Sequence, residues 1–194
     1  MTLSSTSFAT KLRGAMLIGS MLLGIAATPP ALSAVPEYDV KAALIYKIAK
    51  FVHWPDRALN PQTGILKLCI VGRDDFGASI DSLNGKKLQG QVIVVERLQK
   101  PVETAATCQI AFIGRSERGR LPALLTGLLH SPVLTISDAE GFALSGGMIE
   151  LSTVDSKISF AINSAASRRA DLEISAQLLQ LATLVGDAHP ETKP

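Results

Sequence analysis

The chain has 194 residues, of which 47% are hydrophobic and 19% are charged, a composition typical of one globular domain. Lysine and arginine number 19 against 17 acidic residues, and aromatic residues make up only 5% of the chain. Nucleic-acid-binding proteins carry clustered basic residues, so this near-neutral chain without a basic stripe argues against a nucleic-acid partner.

The first segment, residues 1–34, is typical of a secretory signal peptide. Lys11 and Arg13 precede an apolar run, Ala15–Ala27, which is followed by prolines and small residues. The alternative is an uncleaved membrane anchor, but the run has about 13 residues, whereas a bilayer span needs about 20. We therefore expect export to the periplasm, cleavage after Ala34 or the residue before it, and no membrane span afterwards.

Cleavage would also change the charge of the protein. Only Lys11 and Arg13 would be lost, so 17 basic residues would balance 17 acidic ones in the mature chain.

The rest of the chain shows neither an internal repeat nor a second domain boundary. We expect one domain over residues 35–187 and a flexible tail over residues 188–194.

The first element of the mature domain is predicted to be a helix that ends before Pro55, since proline disfavours helical geometry in the residue before it. Its apolar positions recur at helical spacing: Val40, Ala43, Leu44, Ile48, Phe51 and Val52. His53 and Trp54 lie at its end. An exposed recognition pair is one interpretation, but we favour a buried Trp54 whose N–H donates to a carbonyl group.

Strands and helices then alternate along the chain. The predicted strands are 66–71, 91–98, a run ending at Gly114 and a run ending at Ser137. The predicted helices are a short one through Ala78–Leu83 and a longer one with Ser116 as N-cap and an apolar stripe of Leu121, Leu124, Leu125, Leu128 and Leu129. Helices between successive strands indicate right-handed crossovers and a mostly parallel sheet.

The end of the domain has a different pattern. Two runs rich in β-formers, Met148–Thr153 and Lys157–Asn163, flank a turn and predict an antiparallel hairpin. A long helix is expected to follow, with Gly186 near its C-cap. The predicted fold is therefore a single three-layer α/β domain, with a mostly parallel central sheet, helices on its faces, and a C-terminal hairpin followed by a long helix.

The glycine-rich stretch SDAEGFALSGGMIEL, residues 137–151, raises the question of a phosphate-binding loop. Gly147 and Met148 stand where a Walker loop needs Lys-Ser/Thr, and the dinucleotide fingerprint Gly-x-Gly-x-x-Gly is absent. We expect Gly141 and the Gly146–Gly147 pair to supply turns with positive φ between a strand and the hairpin.

Other catalytic patterns are also missing. Asp74 and Asp75 follow a strand as in phosphate-receiving domains, but Gly114-Arg115 stands where such a domain needs a further aspartate. The chain has no Gly-x-Ser-x-Gly elbow. We therefore expect no catalytic residue, no cofactor and no enzyme activity.

Arg168 and Arg169, near the start of the last predicted helix, are the candidate ligand-binding residues. Two adjacent guanidinium groups suit an anionic ligand, whereas the alternative is a solvated basic pair. A periplasmic small-ligand-binding sensor module is accordingly the second functional hypothesis.

Two cysteines, Cys69 and Cys108, remain in the exported chain. In an oxidising compartment an even pair is most simply a disulfide. Metal ligation and thiol catalysis are the alternatives. The chain has no Cys-x-x-Cys motif and its three histidines are scattered, so no metal site is predicted.

Five stretches together resemble the YfiR/HmsC family of exported bacterial proteins, over roughly residues 38–186. They occur in the family's order and spacing: KAALIYKIAKFVHWP, LCIVGRDDFG, TCQIAFIGRSE, PVLTISDAEGFALSGGMIEL and ISFAINSAASRRADLEISAQLLQLATLV. The resemblance implies a small periplasmic α/β domain that can dimerise.

The resemblance also implies a function. The best-understood members bind the periplasmic sensory domain of an inner-membrane diguanylate cyclase and repress it, which limits cyclic-di-GMP production and biofilm formation. Cys69 and Cys108 match a family pair that forms a disulfide. Some members carry a second pair around the stretch matching Ser145–Ser152, where this chain has no cysteine.

Overall fold

A computed structural model gives the architecture of most of the domain. The predicted signal peptide, residues 1–34, and the predicted tail, residues 188–194, lie outside the described residues. The structure describes residues 36–59, 61–98, 105–155 and 157–186.

The first helix, α1 (Glu37–Ala49), is shorter than predicted and buries a different face. Its buried residues are Lys41, Ala42, Ile45, Ile48 and Ala49. The expected face was wrong at Val40 and Ala43, which are both exposed. The predicted end before Pro55 was also wrong, because the backbone after Ala49 leaves the helix to pair with a distant segment.

The strands are β1 (Val52–His53), β2 (Ile65–Val71), β3 (Lys87–Leu88), β4 (Gln91–Leu98), β5 (Ile110–Ile113), β6 (Leu134–Ser137), β7 (Ile149–Val154), β8 (Lys157–Asn163), β9 (Glu173–Ile174) and β10 (Thr183–Val185). Within the described residues, eight of them form one sheet in the order β10-β8-β7-β6-β5-β2-β4-β3. The central strands β4, β2, β5, β6 and β7 are mutually parallel. Strands β7 and β8 form the expected antiparallel hairpin. The α/β class with a mostly parallel sheet is thus confirmed.

Helices cover both faces of this sheet. They are α2 (Ala78–Asp81), α3 (Leu121–Leu128), α4 (Ser164–Arg169) and α5 (Ala176–Leu179), in addition to α1. Successive residues of β5 face opposite sides: Ile110 and Phe112 join the larger core cluster with α1, whereas Ala111 and Ile113 join a smaller cluster with α3. The layers therefore follow directly from the alternation of strand side chains.

The start of α3 differs from the prediction. A 3₁₀ turn, Arg115–Arg120, precedes the helix. Ser116 does not cap the helix, since its Oγ accepts a hydrogen bond from the Arg73 N–H at 2.8 Å. The hydroxyl thus joins the loops that follow β5 and β2.

The long final helix is not formed. The chain leaves α4 at Asp171, whose φ of 55° is left-handed and incompatible with a continuing helix. Strand β9 then pairs with β1, and the Ser175 N–H donates to the Phe51 carbonyl at 2.9 Å. Strand β10 adds to β8, so pairing with distant strands replaces the helix that local spacing indicated.

Candidate functional site

The candidate site is a cavity of about 510 Å³ at one edge of the sheet. Strands β5, β6 and β7 are parallel, so their carboxyl ends meet at this edge, where ligands of open α/β sheets usually bind. The lining residues are Arg115, Arg118, Asp138, Ala139, Glu140, Glu150, Leu151, Ser152, Thr153 and Val154.

A buried ion pair lies at the inner wall of this cavity. The Nζ of Lys41, on α1, lies 2.7 Å from Oδ2 of Asp138, directly after β6, and the two side chains are 0% and 2% exposed. The same oxygen accepts from the Tyr38 hydroxyl at 3.2 Å and lies 2.9 Å from Nη2 of Arg115. Buried charges require such compensation because their desolvation costs several kcal/mol.

Glu37 extends this network towards the surface. Its carboxylate lies 2.5 Å from the Lys41 Nζ and accepts a 2.9 Å hydrogen bond from the Thr153 hydroxyl. These two hydrogen bonds, the one from Lys41 first, lower the pKa of Glu37 because they stabilise its charged form. With Arg115 and Asp138 included, two cations balance two anions, so α1 is held to the sheet by a neutral charge cluster.

Tyr38 contributes a neutral hydrogen-bond donor to the same cluster. Burial, and next the negative charge of Asp138, raise the pKa of Tyr38 to about 12. Its hydroxyl therefore stays protonated and donates to Asp138 over the whole physiological pH range.

The glycine-rich loop, residues 137–151, also borders the cavity, through Asp138, Ala139 and Glu140. The Glu150 carboxylate accepts hydrogen bonds from the Gly141 and Ala143 N–H groups, each at 3.1 Å. Gly141 and Gly146 have positive φ, as expected for turns. Gly147 does not, and its role is different: a Cβ there would lie 2.1 Å from Cε1 of Phe142.

We expect Gly147→Ala to lower the free energy of unfolding by about 1–3 kcal/mol, the usual cost of overpacking a core. Phe142 is fully buried, so the ring or the backbone must shift within the core to accept the new methyl group. Urea unfolding of the purified protein measures the effect.

Gly127→Ala is the matched control, because Gly127 lies in α3 with open space around it. Alanine is the better helix former there by about 1 kcal/mol, so stability should not fall. Equal stabilities of the two variants would contradict this role for Gly147.

The predicted ligand residues do not join this cavity. Arg168 borders a separate cleft of about 450 Å³ together with His53 and Trp54. Arg169 lines a much smaller pocket beside Leu129 and Met148. The structure therefore does not bring the two guanidinium groups to one site, and their ligand-binding role remains a prediction.

The acidic pair after β2 has structural partners. Asp74 pairs with Arg97 at 2.7 Å, and Asp75 pairs with Arg73 at 2.8 Å. Asp74 also accepts from the Phe76 N–H at 2.8 Å. These carboxylates stabilise the loop that leads to α2.

Trp54 and the cysteines behave as the sequence indicates. Trp54 is buried and its Nε1–H donates to the Gln109 carbonyl at 3.1 Å. Cys69 and Cys108 form a buried disulfide with a Cα–Cα distance of 6.1 Å. Within the described residues, no group of histidine, cysteine and acidic side chains is arranged to hold a metal ion.

Sequence reasoning missed the charge cluster. Lys41 recurs with Ile45 and Ile48 on one helical face, and a lysine among apolar neighbours at that spacing is the available signal. Its partner Asp138 lies 97 residues away, so no local pattern connects the two.

A family model described as YfiR/HmsC-like matches residues 38–183. No curated protein sequence matches the chain. In the described part of the chain, no helix has the length and apolar character needed to cross a membrane.

Two solved structures are similar to the chain. One is a conserved domain protein from Vibrio cholerae O1 biovar El Tor strain N16961, with 12% identity and a TM-score of 0.48 over 76% of this chain and 59% of that one. The other is an ABC domain in complex with L-Trp from Streptococcus pneumoniae, with 11% identity and a TM-score of 0.45 over 76% of this chain and 60% of that one. The chain thus spans about three fifths of each.

Proposed function

Since the chain belongs to the YfiR/HmsC-like family of periplasmic regulators, we propose that it binds the periplasmic sensory domain of an inner-membrane diguanylate cyclase and represses the enzyme. Export through residues 1–34 and the capacity to form a homodimer are parts of this proposal. The family match over residues 38–183 is the observation that carries it.

The geometry of the cavity supports a binding role. Asp138 is engaged by Tyr38, Lys41 and Arg115, and Glu150 is engaged by two peptide N–H groups. These contacts hold both carboxylates in fixed positions at the cavity. Repression requires only that the protein bind one state of the cyclase more tightly than the other, because binding shifts an equilibrium by that difference.

The proposal predicts a physical complex and a change in the second messenger. Tagged mature protein should capture a diguanylate cyclase from solubilised membranes, and deletion of the gene should raise cyclic-di-GMP. Restoring the exported protein should reverse the rise, whereas a version that lacks residues 1–34 and stays in the cytoplasm should not. Absence of both the captured cyclase and the rise would refute the regulatory function.

A further inference from the structure

Strand β7 extends beyond its neighbour at the cavity. The last residue of β6, Ser137, lies opposite Glu150, whereas β7 continues to Val154. Residues Leu151–Val154 therefore have β8 on one side and, among the described residues, no strand on the other side. We call this gap, bordered by Leu151–Val154 and the Arg115–Arg120 turn, the notch.

The register of the hairpin shows which peptide groups face the notch. The Asn163 N–H donates to the Met148 carbonyl at 2.8 Å. In an antiparallel ladder, alternate residues direct their N–H and C=O groups to the same neighbour. The peptide N–H and C=O groups of the even-numbered residues of β7 therefore point towards β8. Those of Thr153 point the other way, into the notch.

The dimensions of the notch suit a short extended peptide. The overhang of four residues is about 13 Å long at the usual rise of a strand. The cavity beside it has a volume of about 510 Å³. Val154, at its outer end, is 63% exposed and offers apolar surface to an incoming side chain.

Two arginines face the same space from the opposite side. Arg115 Nε donates to the Asp138 carbonyl at 3.2 Å, and Arg118 Nη2 donates to the Glu140 carbonyl at 3.1 Å. A guanidinium group has five N–H donors, so both anchored groups retain donors for a carboxylate. Glu140 also lines the cavity and is exposed. Its negative charge offsets part of the positive charge of the two arginines, so we expect the site to accept one acidic side chain.

We propose that the notch is the docking site for an extended segment of the cyclase's sensory domain, which adds as a strand beside Leu151–Val154 and presents one acidic side chain to Arg118. This proposal rests on the regulatory function proposed above. Strand addition uses main-chain hydrogen bonds for affinity and side-chain contacts for specificity. A row of peptide groups beside anchored guanidinium groups supplies both.

The first test removes one backbone hydrogen-bond donor from the notch. Thr153→Pro deletes an N–H group that faces the notch and leaves the ladder to β8 intact, which is the position where a strand tolerates proline. Thr153→Val is the matched control, since it changes the side chain and keeps the N–H. Calorimetric titration with the purified sensory domain should show at least tenfold weaker binding for Thr153→Pro and less than threefold weaker binding for Thr153→Val.

The second test reverses a charge at the notch. Arg118→Glu should weaken binding of the sensory domain at least tenfold at low salt, because it repels the incoming carboxylate. Lys47→Glu makes the same charge reversal at an exposed position of α1 outside the notch and should have little effect. If Thr153→Pro fails to fold by circular dichroism, the Arg118→Glu comparison decides the question.

The outcomes separate the two proposals. A wild-type protein that does not bind the sensory domain overturns both. Wild-type binding that Arg118→Glu and a folded Thr153→Pro leave unchanged overturns the notch alone. Loss of self-association in Thr153→Pro, with binding of the sensory domain retained, would assign the notch to a second copy of the chain and also overturn the proposal.

Discussion

Lys41→Ala is expected to lower the free energy of unfolding by about 3–5 kcal/mol, the usual cost of removing one partner of a buried ion pair. The substitution leaves the carboxylate of Asp138, which is 2% exposed, without its cation inside the domain. Tyr38 and Arg115 still contact the same oxygen, but the Arg115 side chain is 54% exposed and cannot replace the buried charge. Urea unfolding of the oxidised protein measures the loss.

Lys47→Ala is the matched control for this prediction. Lys47 lies on the same helix and is exposed, so its removal should change stability by less than 0.5 kcal/mol, roughly the usual range for surface positions. The double variant Lys41→Met, Asp138→Leu should recover much of the loss, since apolar replacement of a buried pair is often neutral. A single variant within about 1 kcal/mol of the wild type would show that the ion pair does not hold α1 to the sheet.

The sheet could be predicted from the sequence because its strands are short apolar runs rich in β-branched residues. The strand predicted over residues 66–71 is observed as Ile65–Val71, and the one over residues 91–98 as Gln91–Leu98. The parallel order followed from the helices between the strands. These are local signals, and the tertiary structure reinforces them.

The errors lie where distant partners override a local pattern. Apolar spacing favoured Val40 for the inner face of α1, but Val40 is exposed and Lys41 is buried there, together with alanine and isoleucine side chains. The lysine is acceptable there only because Asp138 follows β6. The prediction of a long final helix was wrong for a related reason, because β9 pairs with β1 and β10 pairs with β8 instead.

The candidate site could be predicted only in part. The strand ends before Arg115 and Asp138 are visible in the sequence, and so is the hairpin that contains Thr153. The notch itself arises because β6 ends opposite Glu150 while β7 continues. That difference in length is a property of strand pairing, which single-sequence patterns do not contain.

Replacing both Cys69 and Cys108 with alanine is expected to lower the free energy of unfolding by about 2–5 kcal/mol. The bridge joins the middle of β2 to the residues before β5, across a sequence separation of 39. Its loss frees the unfolded chain and loosens the strand that leads to the Arg115–Arg120 turn. Urea unfolding with and without reductant measures the effect, since reductant should destabilise the wild type and leave the alanine variant unchanged.

The same variant tests whether redox state controls repression. If the chain has the proposed regulatory function and loss of the bridge acts by destabilising it, cyclic-di-GMP should rise in cells that carry the double alanine variant. Leu83→Ala should raise it equally, because this core substitution costs a similar 2–5 kcal/mol, roughly, with the bridge intact. A rise with the cysteine variant alone would instead indicate that the bridge shapes the binding surface directly. Unchanged stability together with unchanged repression would exclude the disulfide from regulation.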